Sequence, residues 1–318
     1  MSSQLVRASK HPFGYSIFAA FGISDEQNEI EKLYLNFCGR DDVILSTTTP
    51  SSEKNTKNNT KIIEIENNCF ELKIGRHTKC PLKTTSKWIE KERIVLRQSL
   101  STATRKFDFM QVAVAVLIEN IATKEVLITK RAKHMRAFPN TYVVPGGSVE
   151  KQDESIYHAA ARETFEETGI EIDCKCLKPI YLWESAFPTS IDQGIPSRHH
   201  LIIYLHAKVN LFSENASKEE RYENILKLQK EEVESASWIG LDVVSQIVEH
   251  IENGREMTPK LKQSIEGKSF QVFDVNRTYS TSPLEVLFNS DNTIGYERLT
   301  TGTRFLLKRW YHLTSQEI

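Results

Sequence analysis

Apolar and polar positions along the chain change their period repeatedly, and each change predicts a different element. Residues 34–37, 43–45 and 69–74 alternate apolar and polar side chains, as strands with one buried face do. Residues 46–61 lie between them. They are almost all Ser, Thr, Asn and Lys, with Pro50 among them, and predict a long mobile loop with nothing to bury. Beyond Phe107 the pattern shifts. Residues 112–118 form an unbroken apolar, β-branched run, which predicts a central strand covered on both faces. Residues 119–124 read as a turn and 126–129 as its hairpin partner. Tyr142-Val143-Val144 then leads into Pro145-Gly146-Gly147, which must end a strand. From Glu154 to Thr168 the spacing becomes helical, and Gly169 stands where a left-handed C-cap is expected. Further strands are predicted at 171–180, 181–186 and 201–209. A charged and mobile helix is predicted at 218–230, followed by a strand ending at Trp238 and a helix from Asp242. The C-terminal stretch offers one more strand pair and an amphipathic helix, with Thr303 as its N-cap. Strands and helices in this order predict an α+β or α/β sandwich, not a helix bundle.

Composition narrows the class. The chain has 318 residues, 39% hydrophobic and 26% charged, which excludes collagen-like, coiled-coil and fully disordered readings. Its 41 basic residues face 42 acidic ones, so it is not coated for bulk nucleic-acid binding, although a local basic patch remains open. No run approaches the ~18 apolar residues of a membrane-spanning helix. The apolar run 15–23 is followed by Ser24-Asp25-Glu26, without a small-residue cleavage site, and reads as an element of the fold. Five cysteines with no Cys-x-x-Cys pair predict a reduced, cytoplasmic protein without a thiolate metal site.

The candidate chemistry lies in the predicted helix. Glu163, Glu166 and Glu167 are related by three and four residues, which crowds three carboxylates together and weakens the helix unless a cation sits among them. Arg162 can neutralise at most one. A hard dication, Mg²⁺ or Mn²⁺, suits such oxygens and keeps waters for a phosphate substrate. The competing reading is a solvated acidic face. Glycines on both sides and a strand feeding into the helix argue against it.

This stretch, residues 147–170, resembles the signature box of the Nudix hydrolases. Glu154, Arg162, Glu163, Glu166, Glu167 and Gly169 fall in register with it. Gly147 lies one residue too far from Glu154, which implies an insertion, and Thr164 replaces the usual aliphatic residue. The insertion leaves open whether Glu154 or Asp153 meets Arg162. The resemblance implies an α/β/α sandwich around a mixed sheet and hydrolysis of a nucleoside diphosphate linked to another group. It implies Glu163 and Glu167 as the most direct metal ligands and Glu166 as the third. Gly146 and Gly147 would form the loop beside the metal, with Arg162 orienting a glutamate through a bidentate pair. Glu232, six residues before Trp238, is similar to a loop carboxylate used by a relative, although Glu231 and Glu234 beside it also fit a plain charged loop. The expected organisation is a β-rich region over 1–105, the Nudix domain over 106–252 and an extension over 253–318 that packs on it.

Likeness past the box, over 182–188, 194–205 and 300–305, points to a branch of the family that hydrolyses 7-methylguanosine-capped RNA to 7-methyl-GDP. It implies capped RNA or another nucleotide-diphosphate substrate as partner and no membrane. The rivals are a small-molecule pyrophosphatase acting on coenzyme A, NADH or ADP-ribose, and a non-catalytic RNA- or nucleotide-binding protein. Three intact glutamates speak against the second. Lys130, Arg131, Lys133, His134 and Arg136 can steer a polyphosphate or RNA, or can be a solvated hairpin tip. Trp183 and Phe187 can stack on a base or belong to the core. His199 and His200 point to opposite faces of a strand, so they cannot both ligate one metal.

Overall fold

The computed structural model describes residues 5–7, 29–37, 43–46, 69–76, 110–190, 198–290 and 297–316. The apolar run 15–23 and nearly all of the loop 46–61 lie outside them, as does residue 194–196 of the extended likeness. The described elements divide between two compact units. One comprises residues 1–113, 148–156 and 181–203, and the other 114–147, 157–180 and 204–318.

The first unit is built on strands β1 (Leu5–Arg7), β2 (Glu29–Phe37), β3 (Val43–Ser46) and β4 (Cys69–Arg76). To these it adds the later part of β9 (Leu177–Phe187) and the start of β10 (Arg198–Val209), in the order β1-β3-β2-β4-β9-β10. The strands β1 to β4 pair antiparallel, whereas β4 and β9 run parallel, with Ile74 opposite Leu182 and Gly75 opposite Trp183. Leu72, Ile74, Leu182, Trp183, Leu201 and Ile203 make its apolar core. The period-two runs of the sequence are these strands.

The second unit carries most of β5 (Gln111–Asn120), the hairpin partner β6 (Glu125–Arg131), and the short strands β7 (Thr141–Val143) and β8 (Gly146–Ser148). Helix α1 (Ile156–Thr168) belongs to it, as do the end of β10, β11 (Val233–Ile239) and α2 (Leu241–Glu252). It closes with α3 (Pro259–Ile265), the hairpin β12 (Ser269–Asp274) and β13 (Tyr279–Pro283), β14 (Arg298–Leu299) and α4 (Thr301–Thr314). Its sheet runs β10-β5-β6-β11-β12-β13, and β14 pairs parallel with β7, so the sheet is mixed. Residues 114–118 are all buried, as an unbroken apolar strand requires. The C-terminal residues extend this same sheet through β12, and α4 packs on α2. A buried network ties α4 down further, because Glu119 accepts from His206 Nε2 at 2.7 Å and from Trp310 Nε1 at 2.8 Å. These partners hold the Glu119 carboxyl at about 2 even though its burial works in the opposite direction. No helix among the described residues is long and apolar enough to cross a membrane.

Three expected elements differ. Residues 171–176 are not strand: the Asp173 side chain accepts from Lys175 N at 2.9 Å and closes a 3₁₀ turn, Cys174–Cys176. One long strand, β9, then replaces the two expected. The charged segment 218–230 forms only a single π-helical turn, Glu219–Glu223. Tyr222 and Leu226 are buried beneath it, and it continues without a helix. The N-cap of α4 is Thr300, whose hydroxyl accepts from the backbone N–H of Thr303.

Candidate active site

The site begins with two glycines that leave no room for side chains. At Gly146, a Cβ would collide with the carbonyl of Val114 and the Cα of Ala115 on β5, where Val116 N also donates to Pro145 O at 2.8 Å. At Gly147, a Cβ would occupy the place of the Glu163 carboxyl group. The Glu163 side chain thus fills a cradle that only glycine leaves open. Gly146 N donates to Glu167 Oε2 at 3.2 Å. Both carboxylates that α1 turns toward β8 are therefore held against this pair of glycines.

Helix α1 does not present three equivalent carboxylates. Glu167 is 2% exposed, Glu163 is half-buried and Glu166 is exposed. Arg162 Nη1 lies 3.0 Å from Glu163 Oε1 and 3.0 Å from Glu166 Oε2. Among the described residues, these two contacts fall on different glutamates. A single guanidinium nitrogen bridges two of them, because the one-turn spacing places Glu166 beside Arg162 on the outer face. Burial raises the Glu167 carboxyl to about 8, and the charges of Glu163 and Glu232 push the same way. Arg131 and the Gly146 N–H act against them. Burial likewise raises Glu163 to about 7, with Arg162 opposing and Glu166 and Glu232 adding to the shift.

Gly169 ends the helix at φ +77°, donating to Phe165 O at 2.8 Å, as its expected C-cap role requires. The next orphan carbonyls are satisfied by a distant segment. Lys227 N donates to Thr168 O at 2.7 Å and Gln229 N to Glu167 O at 3.2 Å. That segment carries Glu232, whose N–H donates to Gln229 O at 3.2 Å and whose carbonyl accepts from Ala132 N at 2.8 Å. The stretch expected to be mobile is anchored at both ends. Of the three neighbouring glutamates, Glu232 has its charge felt by both Glu163 and Glu167. Glu231 is exposed and offers its carbonyl to His134, while Glu234 pairs with Lys130 at 3.0 Å.

The one-residue insertion falls in the turn before α1, where its two candidate carboxylates differ in burial. Glu154 is exposed, whereas Asp153 is fully buried and accepts from Glu150 N at 2.8 Å. This turn buries Asp153 and leaves Glu154 in solvent. Counting forward from Gly147 instead of back from Arg162 lands on Asp153, so the signal was present. Thr164, in place of an aliphatic residue, is buried with no partner for its Oγ1 among the described residues. Thr164→Val is therefore expected to stabilise the protein by about 1 kcal/mol, since it removes an unsatisfied hydroxyl at nearly constant shape. A rise of roughly 2 °C in a thermal melt would show it, and a fall would contradict it.

The candidate substrate residues separate. Lys130 is buried and ion-paired with Glu234 and Glu297, which takes it out of reach of a phosphate. Arg131, its neighbour, has its charge felt by Glu167 and donates from Nε to Ala137 O at 3.4 Å. Trp183 is 1% exposed and packs where a Cβ on Gly75 would sit, so it belongs to the core and leaves no face for a base. Phe187, at the end of β9, is half-buried. His199 lies 3.4 Å from Glu184, both fully buried, and burial holds His200 near 4, so it is neutral.

The donor set suits a hard dication. Two carboxylates held against Gly146 and Gly147, with Glu232 adding negative charge, present oxygens whose charge Arg162 and Arg131 leave incompletely balanced. As they stand among the described residues, no three His, Cys, Asp or Glu side chains yet enclose a metal position.

The Nudix domain family matches residues 110–261, and the chain belongs to the Nudix hydrolases, which act on phosphoric anhydrides. Within that family it is similar to the m7GpppN-mRNA hydrolase NUDT17 of Danio rerio, 32% identical over 262 residues, covering 77% of this chain and 82% of that protein. The same enzyme from Xenopus laevis is 32% identical over 242 residues, covering 75% of each. Among solved structures, a MutT Nudix hydrolase from Burkholderia pseudomallei aligns with 42% of this chain and 84% of its own, at 20% identity and a TM-score of 0.30.

Proposed function

We propose that the protein is a dication-dependent hydrolase of 7-methylguanosine-capped RNA, which adds water across a phosphoric anhydride and releases 7-methyl-GDP and 5′-phosphorylated RNA. The observation that supports the hydrolytic part is the pair Glu163 and Glu167, held against Gly146 and Gly147, with the charge of Glu232 felt by both. The substrate rests on the relatives' activity. Mg²⁺ or Mn²⁺ bound there would shield phosphate oxygens and acidify a water. Glu163 and Glu167 would hold the ion directly, and Glu166 would join them by leaving Arg162. Arg162 keeps the outer carboxylates from repelling one another. Glu232 accepts the proton of the attacking water, and Arg131 offsets charge on the leaving phosphates. Free Cys174 and Cys176 suit the reducing cytoplasm.

Turnover of cap-labelled RNA with Mn²⁺, set against coenzyme A, NADH and ADP-ribose, tests this. Release of 7-methyl-GDP with the highest kcat/KM of the four is expected. A higher value for any of the small molecules would overturn the substrate assignment.

A further inference from the structure

We infer that the loop between β6 and β7 is the track along which the RNA body leaves the site, with Lys133 and Arg136 as its phosphate contacts; this rests on the proposed capped-RNA substrate. Lys133, His134 and Arg136 are all exposed, and neither Lys133 nor Arg136 has an ion-pair partner among the described residues. Lys130, Arg162 and Arg221 of the same unit are instead ion-paired, the first two with two glutamates each and the third with Glu125. Lys133 and Arg136 thus place two uncompensated cations on one short loop in a chain of net charge −1.

The loop is fixed and it lies beside the site. Met135 N donates to Ala132 O at 3.1 Å, and Thr141 Oγ1 donates to Phe138 O at 2.8 Å, with Phe138 and Asn140 at positive φ. Ala132 N donates to Glu232 O at 2.8 Å, and His134 Nε2 to Glu231 O at 2.9 Å. The two exposed cations are therefore carried on the same short loop as groups bonded to the Glu232 segment.

The electrostatics say what such a loop is for. Glu166, Glu231 and Glu232 leave an acidic rim around the site, and a dication screens only the phosphates it touches. A nucleotide needs nothing more. An RNA chain carries a further charge at every nucleotide beyond the scissile anhydride, and those charges meet the acidic rim unless cations lie along the exit. Lys133 and Arg136 supply them without reading sequence, as phosphate contacts do.

The test uses the double variant Lys133→Gln/Arg136→Gln in the full-length protein, with Arg131 untouched because its charge acts on Glu167. For a capped RNA of about 30 nucleotides, kcat/KM should fall by about 10-fold, and the slope of log kcat/KM against log salt should shrink by about 1.4. Hydrolysis of the cap dinucleotide should stay within about 2-fold, and the melting temperature should not move. Equal loss on both substrates, or none on either, would overturn the track. Fluorescence anisotropy with uncapped 5′-phosphorylated RNA reads the same surface without turnover. Wild type should bind it more tightly than the variant, by about 10-fold at low salt. Equal affinities would sink the inference even if the protein proves inactive on caps. A wild type that binds this RNA better than the variant yet cleaves no cap would overturn the substrate proposal alone.

Discussion

Replacing Glu167 by Gln is expected to lower turnover at least ~10²-fold, a loss of roughly 2.7 kcal/mol of transition-state stabilisation, while making the metal-free protein more stable at pH 8. Both effects come from one buried carboxyl. Its folded-state value is about 8, against an ordinary 4.5. Below pH 4.5 it is protonated in both states, and its neutral form contributes its full stability. Between 4.5 and 8 the unfolded chain gives up the proton and the folded chain keeps it, so stability falls as pH rises. With EDTA present, the wild type should therefore melt at a lower temperature at pH 8 than at pH 5. Glu167→Gln should reduce that slope without abolishing it, since Glu163, raised to about 7, titrates in the same sense. Mg²⁺ should do the reverse, raising the melting temperature of the wild type most at pH 8, where no proton has to be displaced. Wild-type turnover in the variant at saturating Mg²⁺ would remove Glu167 from the catalytic set. An unchanged pH slope of the melt would contradict its burial.

The same carboxyl shows what could be read from the sequence. The local pattern of α1 is fully written in its residues: helical spacing, a glycine C-cap, and carboxylates three and four apart. Most strands of both units follow from period-two or unbroken apolar runs, whereas β1 is not legible in the pattern and β8, Gly-Gly-Ser, forms where the pattern predicts only the end of a strand. What the sequence does not carry is the partner. Lys130 looks like one member of an exposed basic group until Glu234 and Glu297, 104 and 167 residues away, enclose it. Trp183 has the composition of a base-stacking residue, yet the missing side chain of Gly75 gives it a place in the core. The segment 218–230 is charged enough to read as a solvated helix. Its backbone is instead committed to the carbonyls of Glu167 and Thr168, a choice made by the end of another helix. Asp153 and Glu154 are adjacent carboxylates, and only the closing of a turn onto Glu150 N decides which is buried. The chemistry itself was legible mainly through family resemblance, since three carboxylates on a helix do not by themselves name a substrate.

Glu232→Gln is expected to lower kcat about 10²-fold or more with little change in KM, because its work is done chiefly in the transition state. Its backbone is already fixed in the metal-free chain by Gln229 and Ala132, so the loss cannot be assigned to a loop that fails to close. Gln preserves shape and hydrogen-bonding reach, and it removes only the charge and the ability to take a proton. The two neighbours provide the control. Glu231→Gln touches an exposed side chain whose structural contact is its carbonyl, and should leave kcat within about 2-fold. Glu234→Gln weakens the pair with Lys130, and should appear in the melting temperature before it appears in turnover. Glu232→Gln should also carry a signature that loss of a merely structural residue would not. It removes a negative charge that acts on Glu163 and Glu167, so both carboxyls should titrate lower and the metal-free melt should lose less stability between pH 5 and pH 8. Full activity in Glu232→Gln beside a crippled Glu231→Gln would mean that the six-residue spacing to Trp238 picks the wrong carboxylate. Full activity in all three would transfer the proton-accepting role to Glu166, the exposed member of the helix, which a dication would have to draw away from Arg162.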